Sequence, residues 1–244
     1  MYINDIHILY YVLFAVIGGF VGQFVDYCNK AFLNEKKILS KENFKKYNRI
    51  FLPNYALIVI TAVLYIALLY KFGFQNYLDL IRFLILVPML ISAFVVDYKI
   101  QIIPNRLNLT MFEVGLIFAF IYGIFNISIA IDMLLGMLVG GGIFLTITLI
   151  GGAIAGKEAM GLGDVKLMGA LGLFFGVANT IAISVMSFLI GAIISIILMI
   201  VKKGKMDGYI PFGPFIVISA GISIFVPFNI LFNILMEVFT LGLY

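Results

Sequence analysis

The stretch Lys157-Glu158-Ala159-Met160-Gly161-Leu162-Gly163-Asp164-Val165-Lys166 interrupts a chain that is otherwise almost continuously apolar. It sets two acids and two bases between hydrophobic runs long enough to suggest membrane spans. Glycine at 161 and 163 lets the backbone turn tightly and approach another group closely. An ionisable residue at such a place is a functional hypothesis by default. The question it raises is what partners Asp164.

Around this stretch, 64% of the 244 residues are hydrophobic and 11% are charged, and the mean hydropathy is +1.17. A soluble domain is roughly half apolar and about a quarter charged. The composition is therefore that of an all-α polytopic membrane protein, with the lipid bilayer as its first partner and no room for a large soluble domain. The net charge of +4 does not point to nucleic acid. Loop lysines in membrane proteins mark the cytoplasmic side.

Cys28 is the only cysteine and His7 the only histidine. No intramolecular disulfide, CxxC pair or HExxH zinc motif is possible. A serine or cysteine nucleophile with a histidine base would have to use His7, which stands outside any recognisable motif. If this chain hydrolyses anything, carboxylates are the agents and no metal ligands are expected. The first apolar run lacks a basic segment before it and a small-residue cleavage site after it, so it reads as a retained span.

Apolar runs cover about 8–28, 54–70, 80–96, 107–125, 130–155, 165–178, 180–201 and 210–240. A span needs about 20 residues. The run at 165–178 is short and glycine-rich, a half-length or tilted helix. The last is open to breaking at Pro211, Pro214 and Pro227. Counting all of them predicts about eight spans. Between the first two lies the one long polar segment, 29–53, where Ser40, Glu42 and Asn43 offer the start of a short amphipathic helix with Phe44, Tyr47, Ile50 and Phe51 on one face. Placing this segment in the cytoplasm and alternating puts fourteen of the sixteen basic residues on the inside, leaving only Lys71 and Arg82. The positive-inside rule thus predicts both termini outside, in a multi-pass protein of the cytoplasmic membrane. The chain divides on this reading into N-terminal spans with the basic loop (1–79) and a second part, 80–244.

The same alternation puts Asp97 and Asp164 at the cytoplasmic interface. Asp97 opens Asp97-Tyr98-Lys99-Ile100-Gln101-Ile102-Ile103-Pro104-Asn105, at the end of one span, and Asp164 starts another. At equivalent depth they are expected to face each other across the bundle. Two close carboxylates share a proton; the ionised one activates water while the protonated one polarises a peptide carbonyl. The plainer alternative is that each acid anchors a helix end beside Lys99 or Lys166. Glu113 lies inside an apolar run, where it would pair with a neighbouring span or line a polar cavity. Asp132 reads as a solvated helix start. Glu158 is placed to shape the site, and Asp26, Asp207 and Glu237 read as interfacial or terminal groups.

Two further stretches stand out. Gly18 and Gly22, four apart, permit close helix packing. Ile210-Pro211-Phe212-Gly213-Pro214-Phe215 blocks a regular helix. It reads either as backbone opened to an extended peptide or as a simple re-entry kink.

Taken together, these residues resemble the type IV prepilin peptidases, membrane aspartic proteases with a GxGD motif. Gly18-x-x-x-Gly22-Gln23-Phe24-Val25-Asp26 is similar to the family's first-span pattern, usually Gly-Leu-x-x-Gly-Ser-Phe-Leu-Asn. Asp97 with Ile103-Pro104-Asn105 resembles the segment around the first catalytic aspartate. Glu158-Ala159-Met160-Gly161-x-Gly163-Asp164-x-Lys166-Leu167 resembles the second and is the most specific match. Pro211-Phe212-Gly213-Pro214-Phe215 resembles the proline-glycine motif near the C-terminus. The matches run in order over roughly 18–215.

The resemblance implies an aspartic endopeptidase that cuts the short basic leader of prepilins or pseudopilins after a glycine, at the cytoplasmic face. It implies Asp97 and Asp164 as the catalytic pair, supported by Gly161, Gly163, Glu158, Lys166, Pro211, Gly213 and Pro214. Proteolysis then needs no cofactor. Many bacterial members also methylate the new N-terminus with S-adenosylmethionine, for which no binding residues are identified here. Such members often carry two zinc-binding CxxC pairs in the first cytoplasmic loop. Residues 29–53 hold no cysteine, so no zinc is expected, and Gln23 and Asp26 replace the usual serine and asparagine. Proteolysis is the firmer implication. A preflagellin-type GxGD peptidase shares the dyad; a signal-peptide peptidase would carry Tyr-Asp and Pro-Ala-Leu motifs that this sequence lacks. From another class, a small transporter with broken helices would place its acids near the bilayer centre.

Overall fold

A computed structural model describes residues 2–4, 6–33, 53–156, 160–201 and 210–240. The expected amphipathic helix near 40–51, Lys157, Glu158 and the lysines and Asp207 of 202–209 lie outside the described residues. The chain divides into two compact units, Met1–Ile100 and Gln101–Tyr244.

The first unit holds α1 (Ile8–Leu33), α2 (Tyr55–Phe72) and α3 (Tyr77–Ile100), preceded by a hairpin of two-residue strands, β1 (Tyr2–Ile3) and β2 (Ile6–His7). Small residues set the approach of α1 to α2. A Cβ at Gly18 would lie 2.8 Å from Ala62 Cα and from Thr61 O, and one at Gly22 would lie 2.6 Å from Leu57 O. Only glycine lets these backbones meet so closely. Asn54 starts α2, its side chain accepting from the Leu57 N–H at 3.4 Å. Pro88 sits inside α3. Proline has no N–H to give the carbonyl four residues back, which here is that of Leu84. The Tyr65 hydroxyl donates to that carbonyl at 2.8 Å, so the orphan is met from α2. In lipid, where water cannot help, such a substitute is needed.

The second unit holds α4 (Asn105–Phe125), α5 (Ile127–Ala155), α6 (Leu162–Val201), α7 (Gly213–Phe225) and α8 (Phe228–Thr240). Asn126 joins α4 to α5: its N–H closes α4 on Tyr122 O at 2.7 Å, and its side chain accepts from Ser128 N at 3.0 Å to open α5. Glycines again set the closest contact. A Cβ at Gly136 would lie 2.5 Å from Gly172 O, and one at Gly140 2.6 Å from Met168 O. Around this α5–α6 seam Phe144, Leu167, Met168, Leu171 and Phe174 are fully buried.

Helix α6 spans 40 residues, but Gly176 breaks it with φ 70° and ψ −179°. Unbroken, such a helix would run about 60 Å, about twice the hydrocarbon thickness of ~30 Å. The sequence places the division near residue 179; the structure moves it three residues earlier, to the glycine that can adopt a left-handed φ. Asp132 departs from its expected role. Its carboxylate accepts from the Val177 N–H at 3.2 Å, capping the second stretch of α6 from α5 rather than serving only as a solvated helix start. The last apolar run breaks at Val226–Pro227, as its proline suggests, giving α7 and α8.

Among the described residues six helices, α1 to α6, are long and apolar enough to cross a membrane, and α7 and α8 are shorter apolar helices. Their outward faces are apolar too: Phe20 on α1, Phe120 on α4 and Ile200 on α6 are all well exposed. Lipid is the solvent that suits such faces, and the chain is a multi-pass membrane protein.

Candidate active site

In the second unit the site is built where α4 and α6 begin. Pro104 stands at the N-cap of α4, and its carbonyl accepts from the Leu107 N–H at 3.0 Å and the Asn108 N–H at 3.3 Å. The residue before it, Ile103, is buried. Asp164 lies in the first turn of α6, where an acid is favoured by the helix dipole. Its N–H donates to Gly161 O at 3.0 Å, and the residue is 6% exposed.

Two polar staples hold the two helix starts. The Asn108 side-chain Nδ2 donates to Gly163 O at 3.0 Å. Lys166 Nζ donates to Asn105 Oδ1 at 2.7 Å. The first fixes the carbonyl just before Asp164, and the second ties the residue two after it. Lys166 therefore engages Asn105, where the sequence offered it as an ion-pair partner for Asp164. Beside the staples is a cavity of about 430 Å³ lined by Asn105, Asn108, Leu109, Phe112 and Lys166.

Neither Gly161 nor Gly163 has a left-handed φ. A Cβ at Gly163 would lie 3.4 Å from Ile103 Cβ, and one at Gly161 would lie 3.7 Å from Asp164 Oδ2. Their part within this unit is room rather than an unusual turn. Pro211, Gly213 and Pro214 open α7. Pro214 falls in its first turn, where a missing N–H leaves no gap, and the Phe215 N–H goes to Phe212 O at 3.0 Å. Phe212 packs on Phe188, Phe215 and Phe144, with centroids 5.1, 5.8 and 6.0 Å away. The motif seats a helix start in an aromatic cluster. Glu113 is exposed on α4.

In the first unit Asp97 lies near the end of α3 and is 4% exposed. Asp26, read from sequence as an interfacial group, is instead buried at 5% exposure. Its carboxylate meets Lys30 Nζ at 2.6 Å and accepts from Asn54 Nδ2 at 3.1 Å, while Gln23 Oε1 accepts from the Asn54 N–H at 3.3 Å. The two departures from the first-span pattern thus make one junction between α1 and α2. Among the described residues, no group of three or more His, Cys, Asp or Glu is placed to hold a metal.

Sequence reasoning missed Asn108. Its signal was present: an asparagine inside an apolar helix, three residues past Asn105 and so on the same face. What it bonds is not legible from one strand of sequence.

Residues 84–196 match the type IV leader peptidase family. Among curated relatives, a prepilin leader peptidase/N-methyltransferase of Xanthomonas campestris pv. campestris is 30% identical over 170 residues, covering 68% of this chain and 56% of the relative. A protein of the same name from Legionella pneumophila is 31% identical over 167 residues, covering 68% and 56%. Another from Aeromonas hydrophila is 28% identical over 141 residues, covering 58% and 48%. The chain spans about half the length of these relatives. No solved structure matches.

Proposed function

We propose that this chain, whose residues 84–196 match the type IV leader peptidase family, is an aspartic endopeptidase that removes the basic leader of a prepilin or pseudopilin after a glycine. The observation that carries this is the buried Asp164 at the start of α6, its preceding carbonyl held by Asn108, inside the family's matched segment. Asp97 and Asp164 act as the catalytic carboxylates. One takes a proton from water as the water attacks the scissile carbonyl, while the other donates its proton to the carbonyl oxygen. As the C–N bond breaks, the first passes the proton it took to the leaving amine and the second recovers its own from the hydroxyl. Gly161 and Gly163 keep the loop before Asp164 uncrowded. The peptidase part is 80–244, and residues 1–79 form the N-terminal spans with their basic loop.

Eight spans fit this reading: α1 to α5, the two stretches of α6, and α7 with α8 as the last. Both termini then face outward, and the ends carrying Asp97 and Asp164 face the cytoplasm of a cell whose cytoplasmic membrane holds the protein. The positive-inside rule supports this orientation.

The relatives' name adds N-methylation, for which S-adenosylmethionine would supply the methyl group. In the first unit the Asn29 carboxamide is 2% exposed, and among the described residues neither its Nδ2 nor its Oδ1 has a hydrogen-bond partner. A buried donor and acceptor side by side, one turn from Asp26, fit a polar ligand, and these residues would hold it. A binding titration with S-adenosylmethionine should give heat with wild type and none with Asn29→Leu.

The peptidase is tested by prepilin cleavage in membranes containing wild type, Asp97→Asn or Asp164→Asn at matched expression. Cleavage by wild type alone supports the pair. Wild-type rates from either variant would remove that aspartate from the mechanism. A wild type that cuts no prepilin would return the broken-helix transporter to consideration.

A further inference from the structure

We infer that the cavity at the starts of α4 and α6 is a subsite for the substrate's peptide backbone beside the scissile bond, with Asn108 as the residue that reads it. This rests on the peptidase reading above. Asn108 is 3% exposed. Its Nδ2 holds Gly163 O, but its Oδ1 is buried and receives no hydrogen bond among the described residues. A buried acceptor without a donor is unfavourable and rare, and a ligand N–H would satisfy it.

Lys166 supplies the complement. Its ammonium has three N–H groups, one of them directed at Asn105 Oδ1, and the side chain is exposed. A ligand carbonyl oxygen has a donor there. One N–H and one C=O are what every non-proline peptide unit presents. An anion such as phosphate would suit Lys166 and leave the Asn108 acceptor unmet. Leu109, 57% exposed, and the half-buried Phe112 add an apolar wall for a side chain. The volume of about 430 Å³ is within the usual range of ligand sites. Because Asn108 grips the carbonyl immediately before Asp164, a segment bound here lies next to the proposed catalytic carboxylate. Asn108 then has two tasks: it positions the loop through Nδ2 and recognises substrate through Oδ1.

The test uses disulfide trapping and kinetics on the full chain in membranes. The single cysteine, Cys28, is changed to serine, Asp164→Asn stops turnover, and Leu109→Cys supplies the probe. Prepilins carry one cysteine each, at successive positions on either side of the scissile bond. Trapping confined to one or two of these positions, and competed away by cysteine-free prepilin, is expected. In the cleaving protein, Asn108→Leu should raise KM about tenfold, the effect of losing roughly one hydrogen bond, and lower kcat as well. If wild type cuts prepilin but Leu109→Cys traps every position alike or none, the subsite is wrong and the peptidase stands. A kcat loss with KM unchanged would also overturn it, since a purely positioning Asn108 predicts that. A wild type that cuts no prepilin removes the peptidase reading, and the subsite with it.

Discussion

Asn108 and Gly163 are 55 positions apart in sequence, yet the Asn108 amide donates to the Gly163 carbonyl at 3.0 Å. That single bond ties an apolar helix to the loop from which Asp164 emerges. Removing it should leave the helices packed and loosen the carboxylate. Small misplacements of a catalytic group cost up to about a hundredfold in rate. Asn108→Leu is expected to lower kcat for prepilin cleavage about ten- to a hundredfold, with the melting temperature in detergent little changed. Steady-state kinetics beside a thermal melt checks it.

The two aspartates should behave as a unit. Asp97→Asn and Asp164→Asn are each expected to lower cleavage by at least about a hundredfold, the usual contribution of positioned acid–base groups. The double variant should be scarcely worse than either single, because neither carboxylate works alone. Single-turnover cleavage with purified protein measures all three.

The α5–α6 seam predicts a contrast between two glycines on one helix. Gly136→Ala would drive a methyl to 2.5 Å from Gly172 O, whereas Gly142 has nothing within 4 Å of its Cβ position. Overpacking of this kind costs about 1–3 kcal/mol. Gly136→Ala should therefore unfold at lower denaturant, and Gly142→Ala at wild-type denaturant or slightly higher.

Tyr65 and Pro88 should be coupled. Tyr65→Phe leaves the Leu84 carbonyl without its donor, an expected loss of about 1–3 kcal/mol. In a Pro88→Ala background the restored N–H can bond Leu84 O, and the same change should cost markedly less. A double-mutant cycle on unfolding free energy gives the coupling directly.

Asp132→Ala should expose the break in α6. The Val177 N–H loses its acceptor, and caps of this type contribute about 0.5–2 kcal/mol. Hydrogen exchange should quicken at the amides just after Gly176 and remain slow at those just after Asp164.

The helical architecture was legible in the sequence because each membrane segment satisfies its own backbone and is written as a local apolar run. The prolines and glycines that interrupt those runs marked the breaks to within a few residues, at Gly176 and Val226–Pro227. Asp97 and Asp164 stood out for the same reason: a charge is conspicuous against hydrocarbon. Their burial was not written there. Nor was the fate of Asp26, which reads as an interfacial or terminal group and is buried between Lys30 and Asn54. The same holds for Asn108 on Gly163, Tyr65 on Leu84 and Asp132 on Val177. Hydropathy is a property of one segment, but a polar atom's partner is a property of the neighbouring helix and its register. Those are set only when side chains from distant positions pack, and so the tertiary structure alone determined them.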